Sequence, residues 1–211
     1  IDATTAVVSV TLIGGDGNDS LRGGSGDDVL KGLAGDDLLD GGGGVDRVIG
    51  VADVDWTLGD VSLEGAGSDT LVSIEAAVLI SGAGANLLDA TAFTGDVTLR
   101  GGDGNDTLRG GSGNDSLDGG RGDDRIAGHD GADRANGGSG NDIVLGQAGS
   151  DTLLGGSGAD SIIGGDGDDT IKGQAGTDRL CGGNGDDFVV GSAAEIDECI
   201  GDCFDDICLD A

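Results

Sequence analysis

Gly101-Gly102-Asp103-Gly104-Asn105-Asp106-Thr107-Leu108-Arg109 decides how this chain folds. Three glycines in the first six residues reach positive φ at low cost and mark tight turning, so this part reads as a loop, neither helix nor ladder strand. Thr107-Leu108-Arg109 then alternates polar, aliphatic, polar, the pattern of a very short half-buried strand with Leu108 inward and its neighbours outward. The same nine-residue unit continues from Gly110, Gly119, Gly128, Gly137, Gly146, Gly155, Gly164, Gly173 and Gly182, and an earlier run starts at Gly14, Gly23, Gly32 and Gly41. Positions one and four are glycine in all fourteen copies, and position six is always Asp. Position eight is Leu, Ile or Val except at Ala135, which is undersized.

Two nonapeptides make one turn of a flattened coil, with loops on both edges and two thin parallel sheets packed through the position-eight residues. At the ordinary strand spacing of about 4.8 Å, the ten-copy run forms five turns and about 24 Å of roll. Each position-six Asp then stands over the Asp two repeats later. The candidate metal ligands are Asp19, Asp28, Asp37 and Asp46 in the first run, and Asp106, Asp115, Asp124, Asp133, Asp142, Asp151, Asp160, Asp169, Asp178 and Asp187 in the second. Carboxylates held so close require a cation. Ca2+ suits them, because it takes six to eight oxygens in tolerant geometry and Gly-rich turns expose carbonyls to complete the shell, whereas Mg2+ demands a stricter octahedron. Neighbours two repeats apart give two sites in the first run and eight in the second, about ten ions, which would bring the formal charge from −31 to about −11.

These in-phase copies resemble the calcium-binding nonapeptide repeat of the RTX (repeats-in-toxin) family. The resemblance covers fourteen copies of nine residues, 126 of 211. It implies an all-β parallel β-roll or β-helix solenoid in a secreted, bacterial protein that leaves the cell unfolded in low calcium and folds on exit. Many such proteins carry a protease, lipase or toxin domain, or form adhesins and surface layers. Clustered cysteines and the lack of a recognisable enzyme domain depart from that pattern, and put in doubt both a toxin or protease assignment and a C-terminal secretion signal.

The organisation expected is an N-terminal strand cap (1–13), a first calcium-binding run (14–49), a degenerate metal-free β-helical spacer (50–100), a second run (101–190) and a cysteine-containing cap (191–211). The N-terminal cap keeps the phase, with Leu12 at position eight and Val10 in the ligand place. In the spacer, Glu64–Val72 and Ser81–Asp89 are degenerate copies with Asp69 and Asn86 at the ligand position, expected to bind calcium weakly or not at all. Longer strands are expected at Val54–Leu58, Ala77–Ile80 and Asp96–Leu99, with Trp56 and Phe93 sealing the core. Ser192-Ala193-Ala194-Glu195 has the form of a capping box and is followed by Ile196, Ile200, Cys203, Phe204 and Ile207 at roughly helical spacing, which predicts a short amphipathic helical cap. Cys181, Cys199, Cys203 and Cys208 predict two disulfides of undetermined pairing, with a zinc site as the rival reading.

The remaining composition narrows the function. An acidic chain with 48 glycines and few aromatics cannot easily offset the entropy of ordering, so without calcium disorder is the expected state. Eight of ten basic residues, such as Arg109 and Arg125, occupy outward positions seven or nine; no basic stripe or stacking aromatic set suits nucleic acid. His129 replaces a loop glycine and reads as a solvent-facing substitution. No arrangement looks catalytic, so an enzyme is not expected. No apolar 20-residue stretch suggests a membrane span, and the start at Ile1 reads as a mature secreted segment. Extracellular calcium modules work at about 10⁻⁴–10⁻³ M, which places folding outside the cell. The preferred reading is a calcium-binding extracellular structural protein, a surface, adhesive or filament-forming subunit joining itself head to tail. The alternative is a calcium-dependent folding and secretion module of a larger enzyme or toxin.

Overall fold

The computed structural model describes residues 1–191 and the strand Ile207–Leu209. Among these residues there are only strands, and they form two eleven-stranded sheets facing each other. One sheet runs, in spatial and chain order, through Thr11–Asp16, Val29–Ala34, Arg47–Val51, Ala76–Ile80, Asp96–Asp103, Ser116–Arg121, Arg134–Ser139, Thr152–Ser157, Thr170–Ala175, Phe188–Val190 and Ile207–Leu209. Its strands are parallel throughout. In the regular runs the chain alternates between the two sheets, so residues eighteen apart are paired, as Leu99 with Leu117 and Leu108 with Ile126. This is the predicted all-β parallel solenoid.

The core is a single file of position-eight side chains from each sheet. Leu108, Leu117, Ile126, Val144, Leu153, Ile162, Ile171, Leu180 and Val189 are all buried. Ala135 is buried too, in register with Leu117 on one side and Leu153 on the other. Positions seven and nine are half-buried or exposed, as the alternation predicted.

The strands are longer than predicted in most repeats. Pairing continues through positions one to three of the following repeat, for example Gly102 with Gly120 and Asp103 with Arg121, and the loop shrinks to positions four to six. The glycine at position two permits this by taking a left-handed φ, 108° at Gly102 and 107° at Gly120, which turns the corner without leaving the ladder. Leu33, His129, Gln147 and Gln174 occupy the same position with φ between 73° and 83°. His129 is therefore not the solvent-facing substitution expected: it is half-buried, paired with Gln147 of the next turn, and its Nε2 is enclosed with no hydrogen-bond partner.

The spacer breaks the parallel rule once. In the second sheet, Trp56–Gly59, Ser62–Glu64 and Ser68–Val72 form an antiparallel meander between Leu38–Asp40 and Leu87–Ala92. Leu58, Leu63 and Leu71 point inward from it, and Trp56 and Phe93 are buried in the core as expected. At the N-terminus the strand begins only at Thr11, and Val7 and Val8 before it are exposed. Residues 1–3 instead pair with Arg22 and extend the second sheet. The predicted amphipathic helix that starts at the 192–195 capping box lies outside the described residues except at Ile207, which is not helical but opens the strand Ile207–Leu209, paired with Phe188–Val190.

Candidate calcium sites

The position-six carboxylates form two columns along the loop edges, buried to 3% exposure or less except Asp19, which is half-buried. Each Oδ1 accepts a hydrogen bond from the backbone N–H of the Asp one turn below. Asp106 donates to Asp124 at 2.7 Å, Asp115 to Asp133, Asp124 to Asp142 and Asp133 to Asp151 at 2.8 Å, and Asp142 to Asp160 at 2.9 Å. The ladder continues from Asp151 to Asp169, Asp160 to Asp178 and Asp169 to Asp187, and in the first run from Asp19 to Asp37 and Asp28 to Asp46. All ten stacked pairs foreseen from the spacing are thus brought together.

The other oxygen carries the chemistry. In Asp37, Asp46, Asp106, Asp124, Asp133, Asp142, Asp151, Asp160, Asp169 and Asp178, Oδ2 is enclosed with no hydrogen-bond partner. A buried carboxylate oxygen without a partner carries a large desolvation penalty, which a cation would relieve. Each Oδ2 faces the position-one glycine of its own repeat. A Cβ on Gly101 would collide with Asp106 Oδ2 and with the carbonyl oxygen of Gly119 in the next turn; Gly110, Gly119, Gly137 and Gly155 repeat the arrangement. Invariant glycine at position one therefore keeps open a cradle where a carboxylate and a carbonyl converge. Among the described residues no three His, Cys, Asp or Glu side chains converge on one point. Side chains alone would not complete a metal shell here, and carbonyl oxygens such as that of Gly119 beside Asp106 Oδ2 would add to it, an all-oxygen donor set suited to Ca2+.

Burial pushes these acids up. Desolvation is the leading cause, with neighbouring carboxylates adding to it; Asp133 and Asp169 rise to about 7, and Asp124 and Asp142 to about 6. Asp46, Asp106, Asp115, Asp151 and Asp160 shift in the same direction for the same first reason.

Ends of the columns differ. Asp28 stands over Val10 and Asp115 over Val97, whose amides they accept, and each turns Oδ2 to a backbone N–H, of Gly24 and Gly111. The degenerate copies also join the ladder: Asp37 donates to Asp69 Oδ1 at 3.1 Å, and Asn86 to Asp106 Oδ1 at 2.8 Å. Asp69 is raised to about 6 by burial.

A second ladder was missed in the sequence. Position-five Asn and Asp side chains accept from the position-five amide of the turn above, as Asn105 from Asp123, Asp123 from Asn141 and Asn141 from Ala159 at 2.7–2.9 Å. It runs opposite to the position-six ladder. The signal was the recurrence of Asn or Asp before the invariant Asp, which passed for ordinary loop composition.

Arg109 pairs with Asp89 at 2.9 Å and Arg121 with Asp103 at 3.4 Å. Cys181 is half-buried in Arg179–Asn184, Cys208 falls in the strand Ile207–Leu209, and Cys199 and Cys203 lie outside the described residues. Among the described residues no helix is long and apolar enough to cross a membrane.

A two-sheet parallel roll with carboxylates stacked at every turn defines a calcium-binding repeat protein. The family model for the RTX calcium-binding nonapeptide repeat matches residues 11–55, 80–117, 93–126, 118–153, 127–162 and 154–189. The chain belongs to that family. Comparison with curated proteins gave no match.

Proposed function

We propose that the chain is an extracellular structural protein whose roll is set by about ten calcium ions held between stacked loops. The observation that carries this reading is the row of enclosed, unpartnered Oδ2 atoms, each beside a position-one glycine. Nothing in the row offers a nucleophile or a positioned general acid beside an open cleft, so a structural role fits better than an enzymatic one. The calcium requirement argues for secretion, since extracellular calcium modules fill at about 10⁻⁴–10⁻³ M. The four cysteines then form two disulfides that fasten the C-terminal cap to the last turns of the roll.

Association is head to tail, through the edge strand Thr11–Asp16. One edge of that strand pairs with Val29–Ala34 while the other has no strand beside it among the described residues, and natural proteins cover such edges or use them. Light scattering and electron microscopy of the chain in millimolar calcium test the proposal. Calcium-dependent particles that lengthen with concentration support a structural subunit. A monomer at every concentration would leave the folding-module reading in its place.

A further inference from the structure

We propose that Asp46, Ser73 and Glu75 form an additional calcium site, outside the nonapeptide motif, that closes the first run against the spacer. The proposal rests on the reading of the repeats as calcium sites. Gly41-Gly42-Gly43-Gly44-Val45-Asp46 is the last repeat loop before the pattern stops, and a regular roll would place a Gly-rich loop ending in Asp above it. Ser73-Ile74-Glu75 stands there instead.

Backbone pairing aligns Asp40 with Val72, which puts Ser73 over Gly41, and Arg47 with Ala76, which puts Glu75 over Asp46. Three residues thus span what takes six in a repeat. Asp46 N donates to Glu75 Oε2 at 2.8 Å, the ladder contact that a repeat Asp makes elsewhere, and the extra methylene of Glu compensates for the shortened loop. Ser73 has a left-handed φ of 51°. A Cβ on Gly41 would collide with the Ser73 carbonyl oxygen and with Asp46 Oδ2, just as one on Gly101 would meet Gly119 O and Asp106 Oδ2. Asp46 is 0% exposed and its Oδ2 has no hydrogen-bond partner. Carbonyl, unpartnered carboxylate and a second acid therefore recur where the sequence motif is absent.

The neighbouring column shows what an incomplete copy looks like. Asp69 stands over Asp37, yet the three nearest atoms to a Cβ on Gly32 all belong to Asp37, with no carbonyl from the turn above among them. The carboxylates match while the cradle does not, so the added site is assigned to Asp46, Ser73 and Glu75 alone.

The test uses the whole chain, with calcium stoichiometry by calorimetry and hydrogen–deuterium exchange over 41–51, 70–80 and 101–190. Glu75→Gln keeps an acceptor for the Asp46 amide and removes the charge. Gly41→Ala leaves every charge and fills the cradle with a methyl group. Each is expected to lose one bound ion and the calcium-dependent protection of 41–51 and 70–80, with protection of 101–190 retained. Unchanged stoichiometry and retained protection at 70–80 in both variants would overturn the proposal. Absence of calcium-dependent protection at 101–190 in the unmodified chain would instead refute the calcium reading of the repeats, and the local site with it.

Discussion

Residues 101–190 and residues 50–100 build the same solenoid by different means. The long run buries one aliphatic side chain per nine residues and stacks a carboxylate on every turn. The spacer buries Trp56, Leu58, Leu63, Leu71, Ile74, Leu79, Leu88, Ala90, Phe93, Val97 and Leu99 over a shorter stretch, and has few position-six acids. Burial of a large apolar side chain contributes about 1.5–3 kcal/mol, so the spacer, with more such side chains per residue, draws much of its stability from hydrophobic contact. The run, thin in core and rich in glycine, does not. Its enclosed carboxylates add a further cost that only a bound cation or a proton removes.

Chelation should therefore separate the two regions more than any other change. In excess chelator at neutral pH, hydrogen–deuterium exchange of 101–190 is expected to become fast while 50–100 keeps slow amides, and the β signal in circular dichroism falls. Uniform retention of protection would show that the run is self-sufficient. Acid offers a substitute for calcium. Asp133 and Asp169, raised to about 7 by burial, hold their protons more tightly folded than unfolded, where the value is near 3.8. Without metal, the stability they lend is full below about 4 and is lost as pH rises through about 7. Metal-free chain is expected to regain β signal as pH is lowered from 8 to 4, and calcium affinity should weaken over the same interval.

Trp56→Ala sharpens the comparison from the spacer's side. The ring lies against Gly50 and Gly65, where added Cβ atoms would strike it, so the site is closely packed. A loss of about 3–5 kcal/mol is expected in the spacer, the usual cost of deleting a buried aromatic. Calcium stoichiometry should stay the same. A fall in bound ions at 101–190 would mean that the regions are not energetically distinct.

Between the two runs, Asp142→Ala should cost more calcium than Asp28→Ala. Asp142 accepts from Asp124, donates to Asp160, and leaves Oδ2 unpartnered; Asp28 has both oxygens engaged by backbone amides. The loss of two ions from the first variant and at most one from the second is expected by calorimetry. Equal losses would contradict the stacked arrangement.

How much of this was legible follows from repetition. The period, the inward position eight and the Asp columns were readable because each is imposed fourteen times by the same steric and electrostatic need. The strand extension through Gly102 was not, since a glycine pair is compatible with both a loop and a ladder, and only its φ decides. The meander at 56–72 occurs once and has no period to reveal it. Ser73 was invisible because it acts through its backbone carbonyl, which leaves no side-chain signature. His129 misled because position two does not by itself set exposure: Leu33, Gln147 and Gln174 stand exposed there, while His129 is half-buried.

The smallest expected effect tests whether the position-five ladder stabilises the roll without metal. Asn141 Oδ1 accepts from Ala159 N at 2.9 Å, and its own N–H donates to Asp123 Oδ1 at 2.7 Å. Asn141→Ala removes the first contact, together with a longer Nδ2 donation to Asp123 Oδ1 at 3.3 Å, and keeps the second, because the donor there is backbone. A typical net hydrogen bond contributes about 0.5–1.5 kcal/mol, and this one is solvent-exposed, so about 0.5–1 kcal/mol is expected. Ala132 and Ala159 already occupy position five, so the fold tolerates alanine there. Calcium stoichiometry should not change, since Asn141 is exposed and stands outside the buried Oδ2 row, while the midpoint of the acid-folded, metal-free state should fall by the same small increment. A drop in bound calcium on Asn141→Ala would place position five in the metal shell and merge the two ladders into one system.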